Sequence, residues 1–156
     1  VVQEGTLKLR RSDGRLLWLY DEGPALLMAE GRFYPAGVTQ EEAGAEASAG
    51  YSMPGGGAPG RVFEALFTLE PALLAEHFTA RELEANRYEL TPRAASAAAL
   101  MTRVVLTLGG KPTVPKRIEM QEATGDQTVV EFLEVSLDEP VAAESFLTPA
   151  ERSESR

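Results

Sequence analysis

Few side chains in this sequence have the type and spacing that catalysis or metal binding requires. His77 is the only histidine among 156 residues, and cysteine is absent. Metal sites need several ligands, and a single histidine near a helix end is more often structural than catalytic. The glycines at 55–57 are not followed by Gly-Lys-Ser/Thr, so they do not support a phosphate-binding loop. We therefore expect no enzyme activity, no cofactor and no metal.

The charged residues also limit the kinds of function that the protein can have. Acidic residues alternate with apolar ones on the predicted strands, and no spacing singles out a carboxylate pair for hydrolysis. Lys and Arg total 15 against 24 Asp and Glu, which gives a net charge of −9. This charge opposes binding to nucleic-acid phosphates and to anionic lipid surfaces, but it does not oppose an apolar ligand. We therefore expect no nucleic-acid partner.

The sequence is instead rich in apolar and aromatic side chains on a few predicted elements. They could form an ordinary core between a sheet and helices. They could also line a cavity for an acyl chain, whose burial would contribute roughly 0.8 kcal/mol per methylene. The predicted lipid-binding residues are Leu16, Trp18, Tyr20, Leu26, Met28, Phe33, Phe63, Leu66, Phe67, Leu74 and Phe78.

The elements that would position these residues are organised around three β-type runs at 103–108, 116–122 and 128–137. Turn residues at 109–112 and 124–126 separate the runs. These connections cannot hold a crossover helix, so the strands must be antiparallel. Two of the runs are apolar on both faces, and we expect a helix, another sheet or a ligand to cover the second face.

The N-terminal part predicts an antiparallel meander, with strands at 5–10, 16–20, 25–28 and 32–34. Two short helices follow within 61–78, the second beginning at Pro71, and together they could cover a sheet face. A hairpin over 78–91 is predicted to turn near Ala85 and Asn86. Residues 93–100 could form a helical turn or a loop.

The remaining segments have weaker patterns. Residues 35–60 are rich in Ala, Gly, Glu and Pro, and we expect an exposed, mobile excursion. Thr39 and Glu42 have the spacing of a capping box, which would begin a short helix there. Phe146 and Leu147 should close on the core, and residues 150–156 should fray. The length predicts a single domain spanning 1–156, which we expect to be a monomer.

An ordered series of motifs covers most of the chain. The residues that carry it are Gly5-x-Leu-x-Leu-x-Arg11, Leu16-x-Trp18, Pro24, Leu27-Met-Ala-Glu-Gly31, Tyr88-x-Leu90-Thr91-Pro92, the hairpin 118–132 with its Gly-Asp-Gln-Thr turn, and Phe146-x-x-Pro149. This series resembles the periplasmic outer-membrane lipoprotein carrier family, LolA, as a divergent branch.

The resemblance implies an α+β, mainly β fold, in which a strongly curved antiparallel sheet forms an incomplete barrel covered by short lid helices. It implies a periplasmic carrier that takes lipoprotein acyl chains or free lipid from an inner-membrane release complex to an outer-membrane acceptor. It further implies that Arg11 latches the lid by hydrogen bonds and that Trp18 lines the cavity.

The chain departs from the family pattern at several places. Ser12 stands where the family has proline, and the next two turns are each one residue longer, so Arg10 or Arg15 could replace Arg11 as the latch. Residues 35–60 lack the family's apolar strand pair. The family's N-terminal helix and first strand are absent, and because the chain opens on Val1 we expect that its start is missing. The outer-membrane acceptor of this family, LolB, normally carries a lipid-anchored cysteine and a protruding apolar loop. Neither feature is visible in this sequence.

Two alternatives to the carrier remain. The same scaffold could support an enzyme acting on an apolar small molecule. It could also be an interaction module with a fully packed core and no cavity.

Overall fold

The computed structural model describes residues 2–52, 57–110 and 113–156, with the backbone alone at 57–59. It is an α+β structure, mainly β, with two antiparallel sheets of five strands each. This confirms the predicted fold class in its coarse form. Two compact units are present, one formed by Val1–Thr68 and Pro140–Arg156 and the other by Leu69–Glu139. Compact units need not fold independently, so the single domain stays a prediction.

The elements follow one another along the chain with short connections. The strands are β1 (Gly5–Arg10), β2 (Arg15–Tyr20), β3 (Ala25–Ala29), β4 (Arg32–Pro35), β5 (Tyr51–Ser52), β6 (Phe78–Glu84), β7 (Arg87–Pro92), β8 (Met101–Gly109), β9 (Val114–Glu122) and β10 (Gln127–Glu131). The helices are α1 (Gln40–Ala43), α2 (Ala45–Ser48), α3 (Gly57–Thr68), α4 (Pro71–His77), α5 (Ala95–Ala98) and α6 (Pro149–Glu154), with a 3-10 turn at Ala143–Phe146.

The first unit is built on a meander in which β1 to β5 lie in chain order. Cross-strand pairing puts Leu16 opposite Met28 and Trp18 opposite Leu26. These residues define the inner face of the first sheet, because side chains two apart on a strand share a face. The other face, here called the outer face, carries Leu17, opposite Leu27. The predicted strands of this meander are confirmed.

Both faces of the first sheet are covered within this unit. Helix α3 lies on the inner face, where Phe67 contacts Trp18. On the outer face, Phe146 is fully buried with Leu17 and Leu27. The expectation that Phe146 closes on the core is confirmed.

The second unit holds the sheet β10-β9-β8-β7-β6, and the predicted hairpins are confirmed, including the turn at Ala85 and Asn86. The prediction that the last strand runs to 137 is wrong, since β10 ends at Glu131. The register places residues 133 and 134 opposite Pro115 and Val114, where β9 begins. A strand that ran to 137 would therefore have no β9 partner for its last three residues.

Val105 shows how the second face of this sheet is covered. We expected a helix, a sheet or a ligand, but Val105 is buried between Glu89 and Glu119, which lie directly opposite it on the neighbouring strands. Arg103 pairs with Glu89, and Arg87 pairs with Glu119. The aliphatic stems of such long side chains cover apolar surface while their charged ends stay in water.

The segment from 35 to 60 contains more structure than predicted. The capping box of Thr39 and Glu42 is confirmed at the start of α1. Thr39 and Ser48 are buried, and Arg32 donates hydrogen bonds to the carbonyl oxygens of Ala49 and Gly50. The expectation of a wholly exposed excursion is wrong for these residues, and the part of it at 53–56 lies outside the described residues.

The expectation that residues 150–156 fray is wrong for most of that segment. Helix α6 begins at Pro149 and is capped reciprocally by Thr148 and Glu151. The Ser153 hydroxyl accepts a hydrogen bond from the backbone N–H of Gln40, which ties the helix to α1. The signal for this helix was in the sequence, as Thr-Pro-Ala-Glu, a threonine followed three residues later by glutamate.

Candidate functional site

The predicted lipid-binding residues of the first unit lie together, between the inner face of the first sheet and α3. Leu16, Trp18 and Tyr20 share the inner face of β2, and the register adds residues of β3 and β4 to it. The full set on these strands is Leu16, Trp18, Tyr20, Leu26, Met28 and Phe33, and α3 supplies Phe63, Leu66 and Phe67. Leu74 in α4 and Phe78 in β6 belong to the second unit.

Aromatic contacts join α3 to the sheet. The ring centroids of Trp18 and Phe67 are 4.8 Å apart with an interplanar angle of 77°, an edge-to-face pair. Phe63 stacks on Phe67 at 6.4 Å and 16°. Both arrangements are favourable geometries for aromatic rings. In this conformation three of the predicted lining residues, Trp18, Phe63 and Phe67, form a continuous aromatic contact.

The two ends of the inner face differ in burial. Leu16, which follows the β1–β2 turn, and Met28, which precedes the β3–β4 turn, are buried. Trp18 and Tyr20, toward the opposite end of β2, are only partly buried. The inner face is therefore more accessible at the end that Tyr20 marks.

Two glycines set how closely α3 approaches the sheet. A Cβ atom built on Gly60 would lie 2.0 Å from the carbonyl oxygen of Gly31, in the β3–β4 turn. A Cβ atom built on Gly14, in the β1–β2 turn, would lie 2.4 Å from Oε1 of Glu64. Real Cβ atoms do not come this close. At Gly60 the obstacle is backbone, so glycine is required there, whereas a Cβ atom at Gly14 would displace the flexible end of the Glu64 side chain.

Glu64 is a buried carboxylate on an otherwise apolar side of α3. Only 7% of the residue is exposed, and its Oε2 accepts a hydrogen bond of 3.1 Å from Nη1 of Arg61. The Thr68 hydroxyl donates to the Glu64 backbone carbonyl at 2.8 Å. Within the described residues the carboxylate of Glu64 pairs with Arg61, and its Oε1 lies next to Gly14 in the β1–β2 turn.

Arg11, the predicted lid latch, lies exposed in the β1–β2 turn, and its latch role stays a prediction. The neighbouring arginines make the observed contacts. The Arg10 guanidinium stands 4.9 Å over the centre of the Phe146 ring, and Nη1 of Arg15 donates to the Phe146 carbonyl oxygen at 2.7 Å. Both hold the C-terminal segment on the outer face.

The carboxylates facing these arginines have lowered pKa values. Hydrogen bonding to Arg15, aided by the N–H of Thr148, lowers the pKa of Glu151 to about 2. Hydrogen bonding to Arg10 lowers the pKa of Asp13. Sequence reasoning missed this cluster, because no local pattern shows which distant carboxylate meets Arg15.

The described residues contain few other features that could bind a ligand or support a reaction. Within them no three His, Cys, Asp or Glu side chains are grouped as metal ligands, and no helix is both long and apolar enough to cross a bilayer. A depression of about 60 Å³ on the second sheet, large enough for a few waters, is lined by charged and amide side chains that include Arg103, Glu119 and Gln121.

Comparison of the chain with protein-family models and with curated proteins finds no match.

Proposed function

We propose that this protein is a non-enzymatic carrier that binds acyl chains of lipoproteins or lipids between the inner face of the first sheet and α3. The observation that carries the proposal is an apolar sheet face on which α3 packs and which is partly exposed at Trp18 and Tyr20. The ordered motifs that resemble the LolA family supply the context. By that resemblance, the carrier would work in the periplasm, between an inner-membrane release complex and an outer-membrane acceptor, and its sheet would form a curved, incomplete barrel.

Binding in this scheme exchanges one set of apolar contacts for another. An acyl chain would enter at Tyr20 and displace Phe67 from Trp18, lifting α3 from the sheet. Burial of a chain contributes roughly 0.8 kcal/mol per methylene, and the lost contacts of α3 offset part of it. The affinity is therefore a difference between two states, which permits release to a partner that binds the chain better.

The direct contacts among Trp18, Phe63 and Phe67 favour a second candidate function. If these side chains keep α3 in place in every state, the protein is an interaction module with a packed core. The two candidates differ in one measurable respect, since only the carrier brings an acyl chain next to Trp18.

Trp18 is the only tryptophan, so its fluorescence reports on the site directly. Stearic acid carrying a nitroxide on the chain quenches tryptophan on contact, and we expect saturable quenching that unlabelled stearic acid reverses. Leu26→Arg places a charge on the partly exposed part of the inner face and should weaken binding by about tenfold or more. Leu83→Arg is the matched control, because Leu83 is 37% exposed on β6 in the other unit.

Native mass spectrometry of protein purified from cells provides a second measurement. The carrier is expected to retain co-purified lipid, and Leu26→Arg is expected to lose it. Unquenched Trp18 at saturating fatty acid, together with lipid-free protein in the mass spectrum, would select the interaction module.

A further inference from the structure

The edge of the second sheet formed by β10 leaves backbone groups that no other described strand pairs. Among the strands of the described ranges, β10 is outermost in its sheet and pairs with β9. Phe132 donates its N–H to the Lys116 carbonyl, and bonding alternates along an antiparallel pair, so Val130 and Thr128 also face β9. Val129 and Glu131 therefore direct their N–H and C=O groups away from the sheet.

The same edge and the chain that follows it expose apolar side chains. Val129 is 40% exposed and Leu133 is 88% exposed, and Val135 and Leu137 are also exposed. Residues 132–139 form no helix or strand. An open edge beside exposed apolar residues is a template for strand addition, and proteins usually cover such edges or place lysine or proline on them. β10 carries neither residue.

The charged residues along this edge are all acidic. Between residues 127 and 141 the sequence contains Glu131, Glu134, Asp138 and Glu139 and no lysine or arginine. Of these, only Glu131 takes part in an ion pair within the described residues, with Arg117. The other carboxylates are available to a cationic partner.

We propose that the edge at residues 127–137, which we call the β10 edge, binds an extended segment of a partner protein in which apolar residues alternate with lysine or arginine. The segment would join the second sheet as a further strand, with main-chain hydrogen bonds to Val129 and Glu131. Its apolar side chains would cover Leu133 and Val135, and its cations would meet the acidic residues. The inference concerns the second unit and does not rest on lipid binding.

The test uses fluorescein-labelled peptides of about ten residues and the full chain, with fluorescence anisotropy as the readout. A peptide of alternating valine and lysine is expected to bind at least about tenfold more tightly than one of alternating valine and glutamate, and less tightly as salt is added. Equal affinity for the two peptides would overturn the proposal.

Val129→Pro tests the strand addition itself. The outward N–H of Val129 makes no bond to β9, so proline there removes a donor for the partner and leaves the β9–β10 ladder intact. We expect this variant to weaken the basic peptide about tenfold or more. Leu133→Asp, outside the ladder, tests the apolar contact without disturbing the sheet, and Leu83→Ser on β6 should leave binding unchanged.

Two results would contradict the inference. Unchanged binding to both Val129→Pro and Leu133→Asp would remove the β10 edge as the site. Concentration-dependent dimerisation in sedimentation, abolished by Val129→Pro, would instead identify a second copy of the chain as the occupant.

Discussion

Arg15 and Glu151 form a bidentate ion pair in the first unit. Their positions in the chain differ by 136. Nη1 of Arg15 lies 2.6 Å from Oε2 of Glu151, and Nη2 lies 2.8 Å from Oε1. Oε2 also accepts the N–H of Thr148 at 2.8 Å, as part of the cap of α6. One carboxylate therefore both begins the last helix and docks it on β2.

This pair predicts a loss of stability in acid. The pKa of Glu151 is about 2 in the folded protein against an ordinary value of 4.5. Since the folded pKa is the lower one, the stabilisation is complete above about pH 4.5 and is lost as the pH falls toward 2. The Glu151 side chain is 39% exposed, so solvent screening limits the contribution to about 1 kcal/mol.

Glu151→Gln isolates this contribution from those of the other carboxylates. Urea unfolding at pH 7 and at pH 3 should show a smaller drop in the free energy of unfolding for Glu151→Gln than for the unaltered protein. Glu139→Gln, an exposed residue without an ion pair in the described part of the chain, serves as the control. An equal drop in all three proteins would contradict the assignment.

Gly14→Ala is expected to destabilise the contact between the β1–β2 turn and α3. Gly14 has φ +70°, where a Cβ atom costs about 1–2 kcal/mol, and its Cβ would also displace Glu64. Gly37→Ala is a matched control, because Gly37 has φ +77° and its Cβ would meet nothing within 4 Å. Thermal unfolding should show a larger loss for Gly14→Ala, and identical losses would show that the Glu64 contact contributes nothing.

Gly60→Ala should move α3 away from the sheet. Alanine favours a helix by about 1 kcal/mol over glycine, but here its Cβ would meet the backbone oxygen of Gly31, which no side-chain rotation relieves. We expect a net loss of about 1–3 kcal/mol and a red-shifted Trp18 emission as Phe67 withdraws. A stabilised protein with unshifted emission would show that α3 is not seated against this turn.

Arg11→Leu tests the predicted lid latch. The variant is expected to change lid opening and to trap its cargo, so that a fluorescent fatty acid exchanges more slowly than in the unaltered protein. Arg15→Leu is measured for comparison, because Arg15 holds the C-terminal segment on the outer face. Exchange at the unaltered rate in Arg11→Leu would remove the latch role.

Local patterns in the sequence were sufficient for most elements of both sheets. Alternation of apolar residues predicted β1, apolar runs between turn residues predicted β2 to β4, and glycine or asparagine marked turns where φ is positive, as at Gly14 and Asn86. Once β2 is a strand, residues two apart share a face, which puts Leu16, Trp18 and Tyr20 together. These features depend on neighbours within a few residues, which is why the sequence alone determines them.

Tertiary structure alone decided the contacts between distant segments. Arg15 could have met any of 24 acidic residues, and only the folded chain brings Glu151 to it. β10 could not have paired as far as 137 because β9 begins at Val114, opposite residue 134, a limit that lies in the partner strand. The close approach of Gly60 to Gly31 has the same origin, since backbone separation between two elements is a property of their packing and of no local sequence pattern.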